Sequence, residues 1–301
     1  MTLPSFLVCG IQKGGTTALH AYLQSHPDVF CPERKELNFF DQHWDEGLPW
    51  YEAFFQGAPD SRLGGAIGEA SPHYMRSPRA MERIARTLPD AKLLFILRDP
   101  VQRAYSNYTY NLGRGQQDPQ QSFPAAIATD DGRERYLDKG FYLRDLEACA
   151  ERVGRESMLV LFQEDLRDAP ETVLARAFEF IGVDPQRWTP TTLESNATRV
   201  PTSPLARAAL FRWGRVRKHL APLVPAPIKR ATHGLRARGL RALPTSSRPP
   251  KLDPQTSQAL QGFYAEANRG LTAWLTAGRE GAHPVPAWLD HGTARKGHRA
   301  A

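Results

Sequence analysis

Hydrophobic residues follow two rhythms along this chain. Short unbroken runs occur at residues 6–10 (FLVCG), 66–68 (AIG), 92–97 (KLLFIL) and 158–162 (MLVLF). Runs of this length without polar alternation predict strands buried on both faces. Between them the apolar residues fall at helical spacing. Residues 16–25 place Leu19, Tyr22 and Leu23 on one face, and His26-Pro27 ends that helix because the residue before proline disfavours helical geometry. Further helices are expected over 78–88, from Arg98-Asp99-Pro100 through Tyr110 with proline in the first turn, over 140–153, and over 170–181 with Gly182 as the stop. Residues 29–41 read as short and extended, and 50–55 as a helical turn. Alternating buried strands and helices predict an α/β fold: a parallel β-sheet flanked by helices, opened by a strand–loop–helix that resembles a phosphate-binding loop.

Beyond Asp184 the chain turns to Pro, Thr and Arg. Leu205, Ala209, Trp213, Val216 and Leu220 share one helical face beside an arginine-rich one. A last helix is expected over 254–275, followed by a Gly/His/Arg tail without structure. This gives one domain over 1–285, including a basic helical arm at about 195–252, and a disordered tail over 286–301. The net charge of +7 sharpens the picture, because thirteen Lys and Arg and no Asp or Glu lie between Ser195 and Leu252, so the remainder carries −6. A mildly acidic body thus carries one basic arm. In 301 residues no stretch approaches the roughly 20 apolar residues of a membrane span, and the run at 6–10 is too short for a signal-peptide core. The expectation is a soluble, cytoplasmic protein. Three cysteines, Cys9, Cys31 and Cys149, have no paired spacing that supports a disulfide framework or a zinc site.

The first loop carries the clearest chemistry. In Gln12-Lys13-Gly14-Gly15-Thr16-Thr17, which follows a strand and opens a helix, backbone N–H groups and the helix dipole form an anion site. Gly14 and Gly15 let the backbone approach the anion, the threonines add hydroxyls, and Lys13 adds charge. The lysine precedes the glycines, whereas a triphosphate-binding loop of the G-x-x-x-x-G-K-[ST] kind places it after them. A plain glycine turn is the competing reading.

The loop "QKGGTTALHAYLQSHPDVF", then "KELNFF", "GEASPHY" and "KLLFILRDPVQRAYSNY", with "GFYLRDL", "VLFQEDL" and "LDPQTSQALQGFYAEANRGLTAWL" after them, resembles the sulfotransferase superfamily. Within it, the order and spacing are similar to the bacterial and Golgi-type carbohydrate (heparan sulfate-type) enzymes. The resemblance implies transfer of a sulfuryl group from 3′-phosphoadenosine-5′-phosphosulfate (PAPS) to a hydroxyl, or less readily an amine, without a metal. It implies that Gln12 to Thr17 surround the 5′-phosphosulfate, that Arg98 and Ser106 hold the 3′-phosphate, and that Glu36 is the general base. Each has a plainer alternative: an Arg98–Asp99 pair, or a surface Glu36 paired with Lys35 or Arg34. Other branches use histidine, and of His20, His26 and His73 only His73 suits an active site. Tyr74 and Tyr142 are candidates for acceptor contacts, with core packing as the alternative.

Two departures stand out. The family's E-K-S-P is Glu69-Ala70-Ser71-Pro72 here, which weakens a heparan-like acceptor, and the late K-G-R segment is replaced by "TSSRPPK", where Arg248 is the substitute candidate for covering the nucleotide. The arm is expected to act as a lid with acceptor contacts; contact with an acidic membrane or a solvated helix pair are alternatives. Partners are therefore a carbohydrate, lipid or small-molecule acceptor, with no nucleic acid expected and no oligomeric state readable. Competing functions are a nucleotide-dependent small-molecule kinase and a non-catalytic anion- or nucleic-acid-binding protein.

Overall fold

The computed structural model describes residues 2–58, 64–191, 200–220, 245–246, 251–277 and 285–290. Strand β1 (Phe6–Gly10) leads to α1 (Thr16–Gln24), and β2 (Val29–Phe30) and β3 (Ala66–Ala70) lead to α2 (Pro78–Thr87). Then follow β4 (Lys92–Leu97), α3 (Pro100–Gly113), α4 (Tyr142–Val153), β5 (Met158–Phe162) and α5 (Pro170–Ile181). The strands form one sheet in the order β2-β3-β1-β4-β5, parallel at every pairing. Every strand read from the hydrophobic runs is present, and β3 continues two residues past the expected end. Of the extended segment expected over 29–41, only Val29–Phe30 is strand, and Phe39–Gln42 is a helical turn.

Alternation along each strand explains why the runs are apolar throughout. Phe6 and Val8 of β1 pack with Leu19 and Leu23 of α1 and Val173 and Phe178 of α5. Leu7 and Cys9 point the other way, into a core with Phe39, Ile84 of α2 and Leu146 of α4. Both faces are covered, so no position tolerates a polar side chain without a partner. Cys9, Cys31 and Cys149 are buried free thiols.

Two compact units divide the chain. The first, comprising Met1–Arg103, Lys139–Ser195 and Ala259–Ala301, holds the sheet. The helix expected over 254–275 divides into two, Pro254–Ala267 and Leu271–Thr276. Just before the left-handed Gly270 (φ 91°), where the second helix starts, stands Asn268. Its Oδ1 accepts the N–H groups of Tyr142 (2.7 Å) and Leu143 (3.2 Å), and its Nδ2 donates to the Gly140 carbonyl (2.9 Å). The side chain thus satisfies N–H groups at the start of α4, which begins at Tyr142 instead of 140. The tail expected to be unstructured instead contains a helical turn, Ala287–Asp290, whose Trp288 ring lies 6.0 Å from those of both Tyr142 and Phe162. Burial of a large indole fixes it there.

The second unit comprises Ala104–Asp138 and Asn196–Gln258. Residues 113–139 contain helical turns at Phe123–Ile127, Asp130–Gly132 and Arg133–Leu137 around an aromatic cluster of Tyr105, Tyr108, Phe123 and Tyr136. The arm supplies α6 (Pro204–Leu220), and Val200–Pro201 pairs antiparallel with Thr245–Ser246. The helix is where the periodicity put it, but the apolar face is not buried. Leu205 is 83% and Trp213 60% exposed, with Ala209 also exposed, while Leu210 and Phe211 are half-buried on the other side. Periodicity identifies residues that share a face; it does not say which face a neighbour covers. Most of the arm, including Arg248, lies outside the described residues.

Candidate active site

In a sheet of order 2-3-1-4-5 the chain turns from one side of β1 to the other, and the crevice beyond the carboxyl ends of β1 and β4 is the natural ligand position. The loop after β1 occupies it. Ile11 N–H donates to the Ile96 carbonyl (3.0 Å) and Gly14 N–H to that of Ile11 (2.8 Å), which ties the loop down on β4. A Cβ on Gly14 would stand 2.5 Å from the Ile96 oxygen and 2.6 Å from Ile11 Cγ2, so only glycine fits. Gly15 caps α1 at φ 108° and, having no side chain, offers no acceptor to the first-turn N–H groups. Those donors, with the positive end of the helix, remain turned to the loop.

Cations converge on this loop. Lys13, itself left-handed at φ 68°, has its pKa lowered to about 8, first by burial and then by the neighbouring charges of Arg98 and Lys35. Arg98 stands just beyond β4; burial also lowers its pKa, against the opposing influence of Glu164. Lys35 Nζ donates to Thr17 Oγ1 (2.8 Å) and Thr16 Oγ1 (3.2 Å) and lies 3.8 Å from Glu36 Oε1. Because each threonine accepts from Lys35, its own proton is available for an anion. Lys139 Nζ donates to Gln12 Oε1 (2.6 Å). Burial makes this concentration of positive charge costly unless an anion shares the site.

The other expected residues divide into those near the loop and those elsewhere. Glu36 is half-exposed beside Lys35, at φ 58°, with its N–H donating to the Ala70 carbonyl (3.0 Å). His73 follows β3, its pKa lowered by burial and by Lys139 and raised in part by Glu36 and Asp41, which places those groups around one ring. Arg98 is anchored through its carbonyl, which accepts from the Tyr142 hydroxyl (2.7 Å). Asp99 caps α3, its Oδ1 accepting from Val101 N–H (2.8 Å) and Gln102 N–H (3.1 Å). Ser106 lies half-buried in α3, in the second unit.

His20 is buried in α1, its pKa pushed down to about 4 by burial and then by Lys35. His26 is held by the Asp184 carbonyl (2.9 Å) and Asp28 N–H (3.1 Å), a structural role. Tyr74 and Tyr142 are corrections: both are fully buried, and the Tyr74 hydroxyl accepts from Phe40 N–H (3.3 Å) while that of Tyr142 holds Arg98. They are core residues, without a face for an acceptor.

Sequence reasoning missed Lys35 and Lys139 as parts of the loop. Lys35 adjoins Glu36 in "RKELNFF" and was readable only as a surface pair; Lys139 reaches Gln12 across 127 positions, with no local signal. It also left Glu69 unused. That carboxyl is wholly buried, its pKa pushed up to about 7 by burial, and accepts from Ser71 Oγ (2.8 Å) and the Tyr51 hydroxyl (3.4 Å). Along the segment leading to Lys35 runs an open groove of about 590 Å³ lined by Phe30, Cys31, Glu33, Arg34 and Phe54, among others. Arg34 lies over Phe54, 5.3 Å from the ring centre.

The sequence pattern of the sulfotransferase domain matches residues 3–200. The chain belongs to the sulfotransferase family. It is 38% identical over 112 residues to the membrane-associated sulfotransferase kil1 of Dictyostelium discoideum, covering 37% of this chain and 24% of that one. It is 34% identical over 200 residues to the bifunctional heparan sulfate N-deacetylase/N-sulfotransferase 4 of Mus musculus, covering 61% and 23%. With the heparan sulfate glucosamine 3-O-sulfotransferase 3B1 of Homo sapiens it shares 32% identity over 187 residues, 60% of this chain and 46% of that one. The matched region thus spans less than half the length of each of these relatives. A sulfotransferase from Alicyclobacillus acidocaldarius has a similar structure, with TM-score 0.57 and 28% identity over 70% of this chain and 97% of that one. Membership of this family weighs against the kinase and the non-catalytic binding readings.

Proposed function

We propose that this sulfotransferase transfers a sulfuryl group from PAPS to a hydroxyl of a carbohydrate, lipid or secondary-metabolite acceptor. The observation that carries the reading is the convergence of Lys13, Lys35 and Arg98 on a glycine-formed cradle at an uncapped helix start, with Glu36 beside it. The residues fit such a donor: Gly14 and Gly15 leave room for phosphate against the backbone, and Thr16 and Thr17 present protons. By the family resemblance Arg98 is assigned to the 3′-phosphate, for which a guanidinium fork is suited.

When bound, PAPS supplies the activated sulfuryl group. The chain's part is electrostatic and positional. Lys13 offsets charge that grows on the phosphate as the sulfuryl group leaves, so it favours the transition state over the ground state. Lys35 holds both threonine hydroxyls and lies beside Glu36, coupling the donor loop to the base. Glu36, partly open to solvent, takes the acceptor's proton. The heparan sulfate relatives support a carbohydrate acceptor, while Ala70 in place of the family's lysine argues against a strongly acidic one. The groove beside Glu33 and Arg34 is the proposed approach for that acceptor.

Calorimetry with adenosine 3′,5′-bisphosphate and with ATP tests the donor assignment. Binding of the bisphosphate in preference to ATP is expected; tighter binding of ATP would overturn it. Glu36→Gln is expected to lower turnover about 10²–10⁴-fold with bisphosphate affinity nearly intact, whereas wild-type turnover would move the base to His73. For the basic arm, the outward stripe of Leu205, Ala209 and Trp213 beside Arg212 and Arg215 favours contact with an anionic lipid surface over a lid.

A further inference from the structure

The segment that carries Glu36 is conformationally strained. Glu36 at φ 58° and Asn38 at φ 51° are both left-handed, although neither is glycine, and Leu37 between them is fully buried. L-residues enter this region only when neighbouring structure over-determines it. Two hydrogen bonds across the top of β3 do so. Glu36 N–H donates to the Ala70 carbonyl (3.0 Å) and Asn38 N–H donates to Ser71 Oγ (3.0 Å).

The second bond is set by a buried carboxyl. Ser71 is fully buried and its hydroxyl proton goes to Glu69 Oε2 (2.8 Å), which leaves an oxygen lone pair aimed at Asn38 N–H. Tyr51 donates to Glu69 Oε1 (3.4 Å), and the Tyr74 hydroxyl also hydrogen-bonds this carboxyl. A hydroxyl has one proton to give, so the direction of one bond fixes the direction of the other. Glu69 and Ser71 both belong to "GEASPHY".

We propose that Glu69 and Ser71 are positioning residues for the transfer reaction: the carboxyl–hydroxyl pair holds the left-handed turn that presents Glu36 beside Lys35 and the donor loop. The proposal rests on the reading of Glu36 as the base. It requires an acceptor at position 69, not a charge, since the pair works through hydrogen bonding. Removal of the Ser71 hydroxyl leaves Asn38 N–H without its acceptor and the turn without its second tie.

Four variants test this: Ser71→Ala, Glu69→Gln, Ser71→Ala with Asn38→Gly, and Glu36→Gln. The readouts are calorimetric affinity for adenosine 3′,5′-bisphosphate, consumption of PAPS with water as the acceptor, and hydrogen exchange of the peptide over residues 35–41. Ser71→Ala is expected to slow PAPS consumption at least tenfold and speed exchange of that peptide, with bisphosphate affinity within about twofold. Glu69→Gln, which keeps an acceptor oxygen, is expected to stay within a few-fold of wild type. Glycine adopts φ near 50° without strain, so Asn38→Gly is expected to recover part of the rate lost in Ser71→Ala. Wild-type rate and exchange in Ser71→Ala would overturn the proposal, as would equal losses of rate and bisphosphate affinity without recovery by Asn38→Gly. Wild-type rate in Glu36→Gln would instead overturn the base assignment, and the proposal with it. A slow Glu36→Gln beside a normal Ser71→Ala refutes the positioning role alone.

Discussion

Lys13 provides the sharpest prediction, because its charge titrates in an accessible range. Burial and the two cations near it bring its pKa to about 8. An anion bound in the loop favours the protonated form, so the pKa rises on binding and the complex takes up protons from solution. The sign follows: affinity for adenosine 3′,5′-bisphosphate is full below pH 8 and falls as pH rises through it. With a pKa of about 8, Lys13 is roughly nine-tenths charged at pH 7 and one-tenth charged at pH 9, which predicts about tenfold weaker binding over those two units. The ligand's phosphates, with a second pKa near 6, have finished titrating by pH 7 and add little. Calorimetry in two buffers of different ionisation enthalpy measures affinity and proton uptake together. Lys13→Arg keeps the charge at all these pH values and is expected to flatten the profile. Affinity independent of pH between 7 and 9, without proton uptake, would refute the placement of Lys13 at the anion.

Three further outcomes follow from the geometry. Gly14→Ala places a methyl 2.5 Å from the Ile96 carbonyl oxygen and is expected to cost about 1–3 kcal/mol in denaturant unfolding, with bisphosphate binding lost. Asn268→Ala strips the start of α4 of three hydrogen bonds and is expected to destabilise by about 1–3 kcal/mol, read as a lower midpoint without a change in slope. The pair Leu205→Glu and Trp213→Glu alters only exposed positions and is expected to abolish flotation with phosphatidylserine vesicles while bisphosphate affinity is unchanged; retained flotation would remove α6 from the contact.

Much of the proposed donor side was legible in the chain, since its parts are local. The order strand, Gln12 to Thr17, helix is contiguous, and an anion loop is made largely of backbone, which glycine positions announce. Arg98 could be placed because it ends a recognisable strand. The acceptor side was less legible, because its parts come from separate segments. Glu36 was visible as a motif residue, but the left-handed turn that orients it depends on Ala70, Ser71 and Glu69 of another strand. Lys139 finds Gln12 only through the fold. Tyr74 and Tyr142 illustrate the converse: an aromatic next to a motif can serve either the core or the site, and burial decided for the core.

By itself, then, the sequence determined what local physics controls: apolar runs of three to six residues that form strands, a proline and a glycine that bound helices, and a glycine loop between the first strand and helix. The tertiary structure decided where distant surfaces meet. It left Leu205 and Trp213 of α6 exposed, joined Asn268 to the start of α4, and brought Lys35 and Arg98 to Lys13 and Lys139 to Gln12. Those outcomes depend on contacts between residues far apart in the chain, and neither hydrophobic period nor residue spacing encodes such contacts.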